Sequence, residues 1–194
     1  MCQKSSTFAL RICIKSMKIV QVKDKKFTLS IPESEILKGV TEVAERINKD
    51  LADKNPLFIG VLNGAFIFAA DLFKRITIPC EISFVKLASY QGITSTGTVK
   101  EVIGLNEDIT GRTVVIVEDI VDTGLTMERL IETLGTRNPK EIHIAALLVK
   151  EQKLKVKLNI EYKVLSIPND FIVGYGLDYD GLGRNLPDIY TVVE

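Results

Sequence analysis

Three carboxylates fall within five positions, Glu118, Asp119 and Asp122, and Thr123-Gly124-Leu125-Thr126 follows them directly. The two groups ask for different chemistry. Hydroxyls and a glycine beside a helix N-terminus leave backbone N–H groups free, which suits an anion such as a phosphate. The carboxylates would repel that phosphate unless something lay between them. A sugar presenting hydroxyls would suit them, and so would a Mg²⁺ ion. A phosphorylated ribose with a metal satisfies both groups. An ordinary strand–loop–helix turn with solvated acids is the competing reading, and the density of acids and hydroxyls at one point weighs against it.

The elements that must position these residues flank them. Val114–Val117 is an unbroken β-branched run, the mark of a strand buried on both faces. Met127, Leu130, Ile131 and Leu134 recur at helical spacing before Gly135. The acids therefore sit at a strand tip, and the hydroxyls open a helix. A similar unit precedes it. Leu57–Leu62 reads as a buried strand, Asn63-Gly64-Ala65 as a small-residue turn where an anion could dock, and the apolar run through Leu72 as a helix. Glu141–Val149 is another buried strand and ends at Lys150. His143, the one histidine, lies inside it and reads as a packed or surface side chain rather than a catalyst.

The remaining chain fits around these units. Ser30-Ile31-Pro32-Glu33 has capping-box spacing, and Ile36, Val40, Val43, Ala44, Ile47 and Leu51 continue it as a helix to about Leu51. Glu81–Leu87 is a strand, and Val99–Leu105 resumes a strand-like pattern. Between them Ser89–Thr98 has hydroxyls and glycines but almost nothing to pack. A mobile hairpin loop and an exposed hairpin tip both fit it. Lys153–Lys157 carries alternate lysines and reads as a solvated strand or edge. Phe171–Val173 gives a short strand before the glycine-rich stretch Gly174–Arg184. Strands alternating with helices imply an α/β fold with a mainly parallel sheet. Such sheets bind ligands outside the carboxyl ends of their strands, where Asn63-Gly64, Glu118–Thr126, Lys150 and Asp178 all fall.

Composition excludes some classes. The 194 residues suit one domain, with residues 1–16 as a tail and 17–194 as the folded unit. Lys+Arg and Asp+Glu are both 25, so the net charge is zero, which argues against a protein built mainly to bind nucleic acid. Hydrophobic residues make up 46% and the mean hydropathy is +0.18, enough for a core, but no apolar run reaches the ~18 residues a membrane helix needs. Cys2, Cys13 and Cys80 lack metal-ligand spacing and look like reduced thiols of a cytoplasmic protein. The chain lacks the G-x-G-x-x-G turn of dinucleotide enzymes and the Gly-Lys-Ser/Thr ending of a Walker loop.

The central run, four apolar residues, Glu118-Asp119, two apolar residues and Asp122-Thr123-Gly124-Leu125-Thr126, resembles the phosphoribosyl-diphosphate signature of the type I phosphoribosyltransferases. Ser89-Tyr90, Ser95-Thr96-Gly97, Lys150 and Phe171–Tyr179 resemble the hypoxanthine-guanine branch, in its order, over nearly all of Met17–Glu194. The resemblance implies that family's fold, a mainly parallel sheet flanked by helices with a small hood built from the chain ends. It implies Mg²⁺-dependent transfer of 5-phosphoribose from its 1-diphosphate to hypoxanthine or guanine, with release of pyrophosphate.

The resemblance also assigns roles. Asp122 would be the general base facing the purine. Glu118 and Asp119 would hold the ribose hydroxyls directly or through Mg²⁺, and Asp178 would serve a second Mg²⁺ beside the purine. Thr123, Gly124, Leu125 and Thr126 would bind the 5′-phosphate, with Asn63, Gly64 and Arg184 at the pyrophosphate. Lys150 would donate to the purine O6, Phe171 would stack on the ring, and the backbone near Ile172 would read its edge. The loop holding Ser89, Tyr90, Ser95, Thr96 and Gly97 would close over the reacting centre. Related enzymes are commonly dimers or tetramers. Two features depart from the family. Asn63-Gly64 stands where Lys-Gly is frequent, which removes a cation from the pyrophosphate turn, and the N-terminal extension matches nothing. The family can hold this turn in a cis peptide, here Leu62–Asn63. A regulator of the same fold that binds RNA or DNA is the alternative, and the charge balance weighs against it.

Overall fold

The computed structural model describes residues 18–87 and 102–193. The first sixteen residues, expected as a tail, and the loop with Ser89, Tyr90, Ser95, Thr96 and Gly97 lie outside the described residues. In chain order the elements are β1 (Ile19–Val22), β2 (Lys25–Ile31), α1 (Glu33–Asp50), β3 (Leu57–Leu62), α2 (Phe66–Phe73), β4 (Glu81–Leu87), β5 (Val102–Ile103), β6 (Thr113–Val121), α3 (Leu125–Gly135), β7 (Glu141–Val149), β8 (Tyr162–Ser166), β9 (Ile172–Val173) and β10 (Ile189–Val192).

The larger sheet has the order β5-β4-β3-β6-β7-β8. Its strands β4, β3, β6, β7 and β8 pair in parallel, and β5 pairs antiparallel to β4. The apolar runs explain the centre. Val114–Val117 pairs with Leu57–Gly60 on one side and with Ile142–Ala145 on the other, so each strand is walled by its neighbours and buried on both faces. One core lies on the α1–α2 face and includes Ile36, Val40, Ile47, Phe58, Phe68 and Leu147. The other lies on the α3 face, with Ile59, Ile116, Leu130, Leu134 and Ile109. Cys80 is a free thiol packed at the edge of the first core, and burial raises its pKa. No helix among the described residues is long and apolar enough to cross a membrane.

A second sheet, β1-β2-β10-β9, is antiparallel throughout. It joins the two ends of the chain into the expected hood. Phe27, Val173 and Tyr190 fill its own small core.

Three local expectations change. Ser30 is not a helix cap, because β2 runs through it to Ile31. Pro32 takes the N-cap position of α1 with no side-chain cap, and the Glu33 N–H instead donates to Asp188 Oδ1 at 2.9 Å. The cap is thus supplied from the far end of the chain, which local spacing cannot reveal. Lys153–Lys157 is not a strand. Its alternation is real, but the partly buried Leu154 and Leu158 pack against the second core while Lys155 and Lys157 point outward, without a ladder partner. The strand expected over Val99–Leu105 is formed at Val102–Ile103.

Candidate active site

The tips of β3, β6 and β7 end along one edge of the sheet, and three turns leave from it. The β6 tip carries the acids. β6 continues to Val121, so Glu118 and Asp119 lie within its last turns of pleat rather than beyond it. Asp119 is 9% exposed, and its Oδ1 accepts the Ile120 N–H at 2.9 Å. Burial, together with the adjacent Asp119 charge, holds the Glu118 carboxyl well above the usual carboxylate range. Among the described residues neither acid has an ion-pair partner.

Gly124 then turns the chain into α3. Its φ of 81° is left-handed, and a Cβ there would stand 2.8 Å from Val156 Cγ2 and 2.9 Å from Leu158 Cδ1, so glycine is required twice over. Glu118, Asp122, Thr123, Gly124 and Thr126 line a cavity of about 140 Å³ at the start of α3. The first backbone N–H groups of an 11-residue helix lie beside it, an arrangement chemically suited to an anion.

The β3 tip leads into Asn63-Gly64, and the Leu62–Asn63 peptide is cis. A Cβ on Gly64 would lie 1.6 Å from Asp119 Oδ2, so this turn sits directly against the acids. Gly176 closes on it from the hood, since its Cβ would lie 2.2 Å from the Gly64 carbonyl oxygen. Gly64 thus lies against the Asp119 side chain on one side and the Gly176 backbone on the other.

The β7 tip ends at Lys150, which is 8% exposed. Its N–H donates to the Val121 carbonyl at 3.0 Å, and its ammonium donates to Asn169 Oδ1 at 3.4 Å. Lys150, Lys153, Ile167 and Asn169 line a second cavity of about 170 Å³. Phe171 precedes β9 and is 45% exposed, a large surface for an aromatic ring. Tyr179 holds it edge-on at 5.5 Å and Phe27 at 6.0 Å, so the ring is braced while open to a stacking partner. Ile172 is buried in β9.

Asp178 and Arg184 are paired with each other. Arg184 Nη2 lies 2.6 Å from Asp178 Oδ1 and Nη1 donates to the Gly176 carbonyl at 2.6 Å, while Asp178 Oδ2 accepts the Gly181 N–H at 2.6 Å. Glu118 and Asp119 were expected at one Mg²⁺ and Asp178 at a second, and among the described residues no three acids, histidines or cysteines gather as one cluster. Both oxygens of Asp178 are engaged, whereas Glu118 and Asp119 are adjacent carboxyls with no cationic side chain paired to them among the described residues, a pair that a hard cation would suit.

Local patterning missed Lys153, whose ammonium lies 2.9 Å from Asp122 Oδ2. It also missed Gly176 and Asn169. The signal was partly present in the Lys153–Lys157 alternation, but partner identity depends on a fold-back that spacing does not encode. His143 sits on β7 opposite Val115, beside the Tyr162 ring at 5.9 Å, and takes no part in the site.

Residues 31–180 match the family model of the phosphoribosyl transferase domain. The chain belongs to that family. It is 38% identical over 174 residues to a hypoxanthine-guanine phosphoribosyltransferase of Aquifex aeolicus, covering 89% of this chain and 98% of the relative. It is 40% identical over 166 residues to a hypoxanthine phosphoribosyltransferase of Salmonella typhimurium, covering 84% and 93% respectively. Among solved structures it resembles a hypoxanthine-guanine phosphoribosyltransferase from Bacillus anthracis with a TM-score of 0.76 and 38% identity, over 86% of this chain and 96% of that one. It also resembles the hypoxanthine phosphoribosyltransferase of Trypanosoma cruzi, with a TM-score of 0.75 and 36% identity over 84% and 95%. As a phosphoribosyltransferase, the chain has its family core in the larger sheet and the turns at its tips. The matched range excludes β1, most of β2 and all of β10, so of the four hood strands only β9 lies wholly within it.

Proposed function

We propose that this phosphoribosyltransferase moves 5-phosphoribose from 5-phosphoribosyl 1-diphosphate to a 6-oxopurine, hypoxanthine and guanine, with Mg²⁺, in purine salvage. The observation that carries this reading is the adjacency of two cavities. The cradle at Asp122–Thr126 and the cavity at Lys150 are lined by bonded neighbours, because the Lys150 N–H donates to the carbonyl of Val121, immediately before Asp122. The names of the relatives support the acceptor.

The transfer breaks the bond between C1 and the pyrophosphate oxygen and forms one from C1 to a purine nitrogen, while the purine loses a proton. Positive charge gathers on the ribose ring as the leaving group departs, so alignment and charge stabilisation matter more than a protein nucleophile. The helix N-terminus at Thr123–Thr126 fixes the 5′-phosphate. Glu118 and Asp119 would hold the ribose hydroxyls, directly or through Mg²⁺. When bound, Mg²⁺ supplies a Lewis acid that neutralises the departing pyrophosphate. Asp122 accepts the purine proton. Lys150 donates to the purine O6, and adenine would instead set a second donor against that buried ammonium. Arg184 turns from Asp178 to the pyrophosphate, which frees Asp178 to face the purine or a second ion. Asn63 and Gly64 contribute backbone groups rather than a cation.

Incubation with phosphoribosyl diphosphate, Mg²⁺ and each of hypoxanthine, guanine, xanthine and adenine separately, with pyrophosphate release as the readout, tests this. Release with hypoxanthine and guanine is expected. Release with adenine alone, or with none of them, overturns the reading.

A further inference from the structure

We infer that Lys153 is the positioning residue of Asp122, holding one carboxylate oxygen so that the carboxyl group keeps a single orientation before the purine arrives. The inference rests on the proposed role of Asp122 as base. Lys153 closes the 3-10 turn Glu151–Lys153 that follows β7. Backbone hydrogen bonds anchor this segment on both sides of Asp122. Lys150 N–H donates to the Val121 carbonyl at 3.0 Å, and Lys155 N–H donates to the Thr123 carbonyl at 2.9 Å. A third, from Lys153 N–H to the Lys150 carbonyl at 2.9 Å, closes the turn between them. Asp122 is thus spanned by bonds to each of its chain neighbours, and the turn between those bonds presents one long cation. That cation reaches Asp122 Oδ2 at 2.9 Å.

The other oxygen, Oδ1, is buried and accepts no hydrogen bond among the described residues. A carboxylate with one oxygen held by a cation and the other enclosed has a set lone-pair direction, which a proton acceptor needs before the substrate arrives. The pair is not a stability device. The side chains are 37% and 43% exposed, and ion pairs that open to solvent contribute little to folding. Its consequence is orientation. The same short turn begins with Lys150, so the group that reads the purine and the group that aims the base are carried on one rigid piece.

Turnover of Lys153→Met and Lys153→Arg, each alone and with Asp122→Asn, tests the assignment at saturating phosphoribosyl diphosphate and hypoxanthine. Lys153→Met should lower kcat roughly tenfold, the scale of a small misalignment, and leave both KM values within about twofold. Lys153→Arg should recover most of the loss, because its guanidinium can still reach Oδ2. In the Asp122→Asn background Lys153→Met should change kcat by less than about twofold, since residues acting as a unit are not additive. An unchanged kcat in Lys153→Met overturns the inference. So does a raised KM for hypoxanthine at constant kcat, which would make Lys153 a purine contact, and so does an undiminished loss in the Asp122→Asn background. A wild-type protein that releases no pyrophosphate removes the proposed function and this inference together. An active wild type with an indifferent Lys153→Met removes the inference alone.

Discussion

Residues 118–126 run without a break from the end of β6 through the Gly124 turn into α3. Lys150, Phe171, Ile172 and Asp178 come instead from the tip of β7, from β9 in the hood and from the turn after it. The proposed sugar-phosphate half of the site is therefore one continuous segment on the central strand. The proposed purine half is assembled from pieces that meet through backbone contacts: Lys150 to Val121, Gly176 to Gly64, and the hood sheet on itself. A continuous half inherits its geometry from local bonding, whereas an assembled half depends on how the hood is seated. Substitutions should separate the two.

The largest effect is expected where the halves meet. Asp122→Asn keeps the cradle, because its shape comes from the Gly124 turn, and removes the proton acceptor. Turnover should fall by about 10²- to 10⁴-fold, the range of general base catalysis, with phosphoribosyl diphosphate still binding. Near wild-type turnover would show that the purine loses its proton elsewhere.

Next come the two glycines that join the halves. Gly64→Ala would push Asp119 away, since its Cβ would lie 1.6 Å from a carboxylate oxygen. That neighbour is the end of a side chain, so the fold should survive while activity drops by roughly 10²-fold through misplacement. Gly176→Ala meets backbone instead, 2.2 Å from the Gly64 carbonyl, at a φ of 99°. It should lower the melting temperature as well as activity, because both strain and overlap must be relieved. If the two variants melt alike, the distinction between a movable side chain and a fixed backbone fails here.

The same contrast explains what could be read in advance. Strands β3, β6 and β7 were legible because buried parallel strands are continuous apolar runs, and the strand–turn–helix proposed as the cradle was legible because its acids, hydroxyls and glycine are adjacent in sequence. The hood strands β1, β2 and β10 were not placed individually. They are short, half-exposed and paired across the chain ends, so their pattern is weak. The Asp188 cap on α1 and the Lys153–Asp122 pair were hidden for the same reason, since each joins residues far apart in the chain. Spacing told more about Asp122 than about what holds it.

A smaller, selective effect should follow Lys150→Ala. Its ammonium is buried and has Asn169 as its partner, so the loss falls on the purine half alone. KM for hypoxanthine should rise about tenfold, near the value of one hydrogen bond to a charged group, with KM for phosphoribosyl diphosphate unchanged. Equal changes in both constants would mean that the cavity at Lys150 belongs to the sugar-phosphate half.

The weakest expected effect tests how the hood is seated. Asp188, just before β10, accepts from Lys18 at 2.6 Å, from the Glu33 N–H at 2.9 Å and from Tyr190 at 3.0 Å. It ties a hood strand to the start of α1, so Asp188→Ala should cost about 1 kcal/mol, the typical loss for a helix cap. The Lys18 ammonium, followed by the Glu33 N–H, holds the carboxyl below its ordinary value of 3.8. A depressed folded pKa contributes stability that is present above the unfolded value and disappears as pH falls through the folded one. The stability gap between wild type and Asp188→Ala should therefore be constant from pH 7 to about pH 5 and shrink below pH 3.8. Urea unfolding midpoints across that range measure it. A gap that persists unchanged at the acid end would mean that the cap acts through shape rather than charge, and that the hood rests on α1 by packing alone.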